Sequence, residues 1–350
     1  MSWLLVGTFI ASFLLTAFTR RLALRASWID SPNHRSSHLE PTPKAGGIGF
    51  AIPFCVLLLW ASTSTRGPMG IPLAILSTGA AGLALIGFLD DRKDIPAKWR
   101  LAMQLGVGTA LLASFWQIPF TDPGSPTWLR VFITLSCLFW LCWMTNLYNF
   151  MDGIDGLAAS HTIAVSVALA VLCFQWDLDF PYEHLFLLLA ASSAGFLILN
   201  WPPAKIFMGD TGSAYLGFVL AGLMLMIAAT VPEMLWSCLI LPAVFITDST
   251  VTLIIRIARG QLFYVAHRSH CYQNATKNLQ VTFEHQGQNA ATARTRAHRN
   301  YNYGMLIIIV LWLFPLAWLA AAEFVDGPLA AAIAYTPLVI GCLLLGAGRE

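Results

Sequence analysis

Five short stretches of this chain combine acids, amides, glycines and cations at spacings suited to phosphate chemistry. Asn146-Leu-Tyr-Asn149-Phe-Met-Asp152-Gly153-Ile-Asp155-Gly156-Leu157 sets two acids three residues apart, each followed by glycine. Lys205-Ile-Phe-Met-Gly209-Asp210-Thr211-Gly212-Ser213 puts an acid in a glycine turn beside two hydroxyls. Gly87-Phe-Leu-Asp90-Asp91-Arg92-Lys93-Asp94 closes an apolar run on paired acids, and Pro41-Thr-Pro-Lys44-Ala-Gly46-Gly47 opens another on a lysine and two glycines. His267-Arg268-Ser269-His270 adds imidazoles and a guanidinium. Mg²⁺ favours carboxylate oxygen and keeps waters or substrate phosphates in its other positions. Arg and Lys neutralise phosphate oxygens, and glycines admit backbone N–H groups close to an anion. The mixture fits a divalent ion and a phosphorylated substrate.

Each group also has a plain structural reading. Paired acids at the end of an apolar helix oppose its macrodipole, so Asp90 and Asp91 require partners that offset the cost. Asp152 and Asp155 would share one side of a helical turn, and Thr211 or Ser213 would cap the helix that begins there. His34 and His38 are candidates for the same surface. Asp248 lies inside an apolar run, where it either packs on Thr250 or Thr252 or serves catalysis. The seven cysteines show no metal-ligand spacing and read as small core residues.

The elements that must position these groups are membrane helices. Of 350 residues, 57% are hydrophobic and 11% charged, with mean hydropathy +0.67, which excludes an ordinary soluble domain and a disordered chain. The net charge of +2 gives no basis for nucleic-acid binding. Eleven apolar runs read as spans: about 2–19, 47–65, 71–89, 100–118, 129–147, 157–175, 184–200, 213–230, 235–256, 302–321 and 328–346. The expectation is an all-α polytopic membrane protein, its apolar N-terminus a retained first helix. With eleven spans, eighteen of the twenty Lys and Arg fall on one face and only Arg66 and Arg130 on the other. The positive-inside rule then places the N-terminus in the periplasm and the C-terminus in the cytoplasm. One membrane domain, 1–350, would carry its chemistry on cytoplasmic loops at about 20–46, 90–99, 148–156, 201–212 and 257–301, the last being the longest polar loop.

At these motifs the chain resembles the polyprenyl-phosphate N-acetylhexosamine-1-phosphate transferases (glycosyltransferase family 4). The match runs through 146–157, 200–213, 87–92 and 41–47 in the expected order. The resemblance implies an integral enzyme of the bacterial inner membrane that uses Mg²⁺, or Mn²⁺ in its place. It would transfer a sugar-1-phosphate from a UDP-N-acetylhexosamine to undecaprenyl phosphate, releasing UMP. Asp210 would bind the metal. Asp90 and Asp91 would deprotonate or orient the lipid phosphate, or Asp91 would assist at the metal. Asp152 and Asp155 would complete the catalytic acids, with Lys44, Asn149, Asn200, His267, Arg268 and His270 binding substrate. His267-Arg268-Ser269-His270 replaces a cluster of adjacent histidines and looks like the O-antigen-initiating branch of pseudomonads. A homodimer fits the same picture. The alternative is a transporter or flippase of lipid-linked sugars, which would place its polar groups near the bilayer midplane.

Overall fold

The structure, a computed structural model, describes residues 1–350 except 31–39, 66, 94, 116–118, 177, 179, 263–266 and 350. His34 and His38 therefore lie outside the described residues. The described helices are α1 (Ser2–Arg25), α2 (Ile48–Ser64), α3 (Gly70–Lys93), α4 (Ala97–Ala113), α5 (Thr127–Met151), α6 (Leu157–Cys173), α7 (Tyr182–Asn200), α8 (Asp210–Thr230), α9 (Met234–Ile240), α10 (Ala243–Ala258), α11 (Cys271–His285), α12 (Ala290–Ile308), α13 (Phe314–Ala321) and α14 (Gly327–Leu344). Pro96, Pro126, Pro181 and Pro242 stand immediately before α4, α5, α7 and α10, where a missing N–H leaves no helix bond unmade. The β-structure among the described residues is a two-residue antiparallel pair, β1 (Ile29–Asp30) with β2 (Thr42–Pro43).

Among the described residues, seven helices are long and apolar enough to cross a membrane, counting Ala290–Ala321 as one, or eight with the bent pair α9 and α10 taken as one. The apolar α2 and α6, and α4, have 17 residues each, about 26 Å of helix and the short end of what spans a bilayer. Large apolar side chains such as Trp3, Phe132, Leu311 and Leu344 are left on the outside, a surface suited to lipid. The protein is a multi-pass helical membrane protein.

Helix α8 forms the central column. Nearly every side chain from Thr211 to Ala228 is buried, with α3 and α5 packed along it. Close approach is built from small residues. A Cβ at Gly87 of α3 would sit 2.6 Å from the Thr211 backbone nitrogen of α8, so the two helices meet backbone to backbone beside their acids.

Three expectations change. The ninth apolar run is two helices bent by 60° at Leu241-Pro242, because proline cannot supply the N–H that would carry the first helix onward. The loop expected at 257–301 is instead mostly helical: α11 and the polar first turns of α12 form a hairpin. Gly287, with φ +88°, ends one arm, and the Asn289 side chain accepts the Thr292 N–H to start the other. Finally, α12 enters its apolar run through a π-helical segment, Ile309–Leu313, that precedes Pro315.

Candidate active site

The acids converge where α3 ends and α8 begins. Gly209 takes φ +71°, a left-handed turn that aims the first N–H groups of α8 at α3. Asp91 receives them: its carboxylate accepts from Asp210 N at 3.3 Å, Thr211 N at 3.5 Å and Thr211 Oγ1 at 3.1 Å. Neither Thr211 nor Ser213 caps α8 as expected; the cap comes from another helix, 119 residues earlier in the chain. This resolves the apparent misplacement of Asp91. Its charge opposes the dipole of its own helix but meets the positive end of α8.

Asp90 faces the other way. Its Oδ1 accepts the Ile95 N–H at 2.6 Å, and its Oδ2 lies 2.6 Å from Arg100 Nη1, which also reaches Asp210 Oδ2 at 3.0 Å. One guanidinium nitrogen of α4 thus bridges two carboxylates from α3 and α8. Arg100, Asp210, Asn149 and Phe150 line a cavity of about 60 Å³, together with the paired amides of Gln104 and Asn146. Asn149 donates to Ser213 Oγ at 3.1 Å, fixing the end of α5 to the first turn of α8.

Residues 152–156 are not helical, so Asp152 and Asp155 do not share a helical face; they diverge. Among the described residues nothing pairs with the Asp152 carboxylate. Burial, reinforced by the like charges of Asp210, Asp91 and Asp155, pushes its carboxyl well above the ordinary carboxylate range. Asp155 is a buried latch. Its Oδ2 accepts Ala204 N at 3.1 Å and lies 3.6 Å from His298 Nδ1, and its backbone carbonyl accepts the Asn302 amide at 2.9 Å. Burial raises the Asp155 carboxyl, but His298, the Ala204 N–H and the Arg294 charge outweigh it and hold it low. Asn200 is a brace of the same kind: its Oδ1 accepts Gly156 N at 3.0 Å and its Nδ2 donates to the Ile206 carbonyl at 2.9 Å.

Lys44 arrives by backbone pairing. Its own N–H bonds the Trp28 carbonyl, while Gly46 and Gly47 donate to the carbonyls of Phe207 and Met208, so the 41–47 and 205–213 motifs are one local unit. Lys44 Nζ pairs with Asp30 at 3.2 Å. It lines a cavity of about 270 Å³ with Trp28, Asp91 and Arg92, and the Arg92 guanidinium stacks 3.8 Å over the Trp28 ring. Two cations and Asp91 thus border a space large enough for a phosphate.

His267, Arg268 and His270 precede α11. The two imidazoles stack at 4.8 Å, and His270 also stacks on Phe150 at 6.2 Å, which connects this segment to the Asp210 cavity. Burial, then the charges of His270 and Arg256, push His267 down to about 4. At neutral pH it is an uncharged hydrogen-bonding group. The Arg268 charge lies near the Tyr272 hydroxyl.

Among the described residues, no three His, Cys, Asp or Glu side chains are close enough to hold a metal ion by themselves. A hard ion such as Mg²⁺ does not require three such ligands, being commonly bound by one or two carboxylates plus substrate phosphates and waters. The donors here are all oxygen, and the Asp152 carboxyl, without a partner among the described residues and crowded by Asp210 and Asp91, would ionise more readily beside a cation. The residues fit such an ion, with Asp210 and Asp152 the available ligands and Asp91 already engaged as a helix cap.

The profile of the family described as glycosyl transferase family 4 matches residues 73–228, a segment that includes Asp90, Asp91, Asn149, Asp152, Asp155 and Asp210. A probable undecaprenyl-phosphate N-acetylglucosaminyl 1-phosphate transferase of Bacillus subtilis (strain 168) is 32% identical over 281 residues, covering 77% of this chain and 76% of the relative. The chain belongs to glycosyl transferase family 4, the polyprenyl-phosphate hexosamine-1-phosphate transferases. Other glycosyl transferase family 4 relatives match over less of their length. A decaprenyl-phosphate N-acetylglucosaminephosphotransferase of Mycolicibacterium smegmatis is 31% identical over 60% of this chain and 56% of its own. A phospho-N-acetylmuramoyl-pentapeptide-transferase of Prochlorococcus marinus is 31% identical over 63% of each.

Sequence reasoning passed over two residues that line the candidate site. Arg100 had counted only as a topology charge, and Gln104 lies within an apolar run. The available signal was their spacing: four residues apart in a helix, they share a face, which here is the one turned to the acids.

Proposed function

We propose that this protein transfers N-acetylhexosamine-1-phosphate from a UDP-sugar to undecaprenyl phosphate, releasing UMP, at the cytoplasmic face of the inner membrane. The observation that carries this reading is the meeting of Asp91, Asp152 and Asp210 with Arg100 and Lys44 at one end of a helix bundle that otherwise buries few charges. The named activities of the relatives support the same reaction class. The count of eleven spans and the sided charge belong to the proposal, because together they turn this end of the bundle toward a soluble nucleotide-sugar.

The lipid phosphate oxygen attacks the β-phosphorus of the donor, and the bond to the UMP oxygen breaks. A bound Mg²⁺ would neutralise diphosphate charge as it shifts toward the departing UMP. Arg100 holds Asp210 in place, and Asn149 fixes the first turn of α8. Lys44 and Arg92 offer charge to phosphate oxygens at the neighbouring cavity. Asp90 has both carboxylate oxygens occupied and Asp91 caps α8, so neither is placed to remove a proton. Asp152 is. The second pKa of a phosphate monoester is about 6, so most of the acceptor is already dianionic at neutral pH and positioning outweighs base catalysis.

The test is UMP release by the purified protein with undecaprenyl phosphate and a panel of UDP-N-acetylhexosamines, with and without Mg²⁺. Acceptor-dependent release with at least one donor is expected. Transport of a lipid-linked sugar with no UMP formed would favour the alternative. The sugar that reacts fastest identifies the donor.

A pH dependence follows from Asp152. Its elevated titration means that protons compete with a cation for that carboxylate. The apparent Mg²⁺ affinity in the UMP assay is therefore expected to rise with pH. A pH-independent Mg²⁺ requirement would remove Asp152 from the metal site.

A further inference from the structure

Asp248 is an acid inside the apolar helix α10, and the reaction above gives it no task. It is 2% exposed, and both of its oxygens are occupied. Oδ1 accepts the Cys271 N–H at 2.9 Å, meets His270 Nδ1 at 3.0 Å and accepts Thr252 Oγ1 at 3.2 Å. Oδ2 accepts the Tyr272 N–H at 2.8 Å. The Thr252 contact alone would be helix packing. The other three are the first groups of α11, brought to Asp248 from 22 to 24 residues away.

Tyr272 extends this connection. It is buried, and its hydroxyl donates to the Phe150 carbonyl at 3.1 Å. A Cβ at Gly153 would collide with that hydroxyl, so the glycine beside Asp152 is the seat of the tyrosine tip. His270, held by Asp248, stacks on the Phe150 ring. Two arms thus run from one carboxylate to the segment 149–153, which carries Asn149 and Asp152. An apolar residue would fill the same volume without the desolvation cost of a carboxylate. What it could not do is hold two backbone N–H groups and an imidazole in one fixed arrangement.

We propose that Asp248 is a positioning residue. It fixes the His270–Tyr272 turn against the Asn149–Gly153 segment, so that the histidine loop and the acid loop keep one relative geometry around the nucleotide-sugar. The proposal rests on the transferase reading for its kinetic consequence.

Two variants of the full-length protein in detergent test it: Asp248→Asn, which keeps the size but turns one acceptor into a donor facing N–H groups, and Tyr272→Phe, which removes only the hydroxyl. The measurements are kcat and KM with UDP-N-acetylglucosamine and with undecaprenyl phosphate, thermal unfolding, and the rate of maleimide labelling at Cys271 resolved by mass spectrometry. For Asp248→Asn, kcat/KM for the nucleotide-sugar is expected to fall more than about tenfold, since small misplacement of reacting groups is expensive in rate. The KM for undecaprenyl phosphate should stay within about twofold, and the buried Cys271 should label faster. Tyr272→Phe should shift the same parameter in the same direction by less. Normal kinetics with faster labelling would make Asp248 structural only and overturn the proposal. So would a loss spread equally over both substrates in step with a lowered unfolding temperature. A parent protein that releases no UMP overturns the transferase reading and this proposal with it, whereas an active parent matched by an equally active Asp248→Asn overturns this proposal alone.

Discussion

Asp210→Asn is expected to lower UMP release by about 10³-fold, the scale seen when a group that stabilises transferring charge is removed. Asparagine preserves the side-chain volume, and the cap of α8 does not depend on Asp210, because Asp91 accepts the Asp210 and Thr211 N–H groups. The fold should therefore survive. Removing one of several crowded like charges should leave thermal stability unchanged or raised, as is common where stability is traded for activity. Residual activity should need more Mg²⁺. Turnover within about threefold of the parent at ordinary Mg²⁺ would remove Asp210 from the centre of the site.

Arg100→Ala should follow at about 10²-fold. A single nitrogen of Arg100 lies 2.6 Å from Asp90 and 3.0 Å from Asp210. Without it the two carboxylates face each other with no cation between, and Asp210 loses the partner that sets its direction. Because the guanidinium is about a third exposed, the loss should appear in rate far more than in stability. Arg100→Lys should recover part of the rate, since one ammonium can neutralise both acids but its shorter stem does not reach the place of the Arg100 Nη1. Adding Asp90→Asn to Arg100→Ala should also recover part, because the repulsion is then gone. A double-mutant cycle that shows no coupling between positions 90 and 100 would separate Asp90 from this network.

The sequence revealed more of the chemistry than of the geometry. Asp90, Asp91, Asn149, Asp152 and Asp210 stood out because acids and amides at the ends of apolar runs have few other reasons to be there, and the fold gathers them at one end of the bundle. The partner that gives each its role comes from far along the chain: Asp91 caps a helix 119 residues away, and Arg100 bridges to Asp210 across 110. No local pattern encodes such pairings. The same holds for Asp155, expected among the catalytic acids, and for Asn200, expected to bind substrate: Asp155 Oδ2 and the Asn200 amide hold loops together.

The missed helical hairpin is a different case, because its signal was present. Tyr272, Thr276, Leu279 and Phe283 recur at spacings of four, three and four, and all but the partly covered Leu279 are buried. Low hydropathy concealed them in a search tuned to membrane spans. Conversely, the bend at Leu241-Pro242 was hidden by an unbroken apolar run, since hydropathy does not register a missing N–H.

The central claim is that the donor's β-phosphorus moves to the lipid. Donor labelled with ³²P at the β-position, incubated with the purified protein, undecaprenyl phosphate and Mg²⁺, should yield a butanol-extractable product that retains the label together with the sugar, leaving unlabelled UMP in water. Label that stays in the aqueous phase while the sugar moves to lipid, or lipid-linked sugar that changes sides with no UMP formed, would contradict the account.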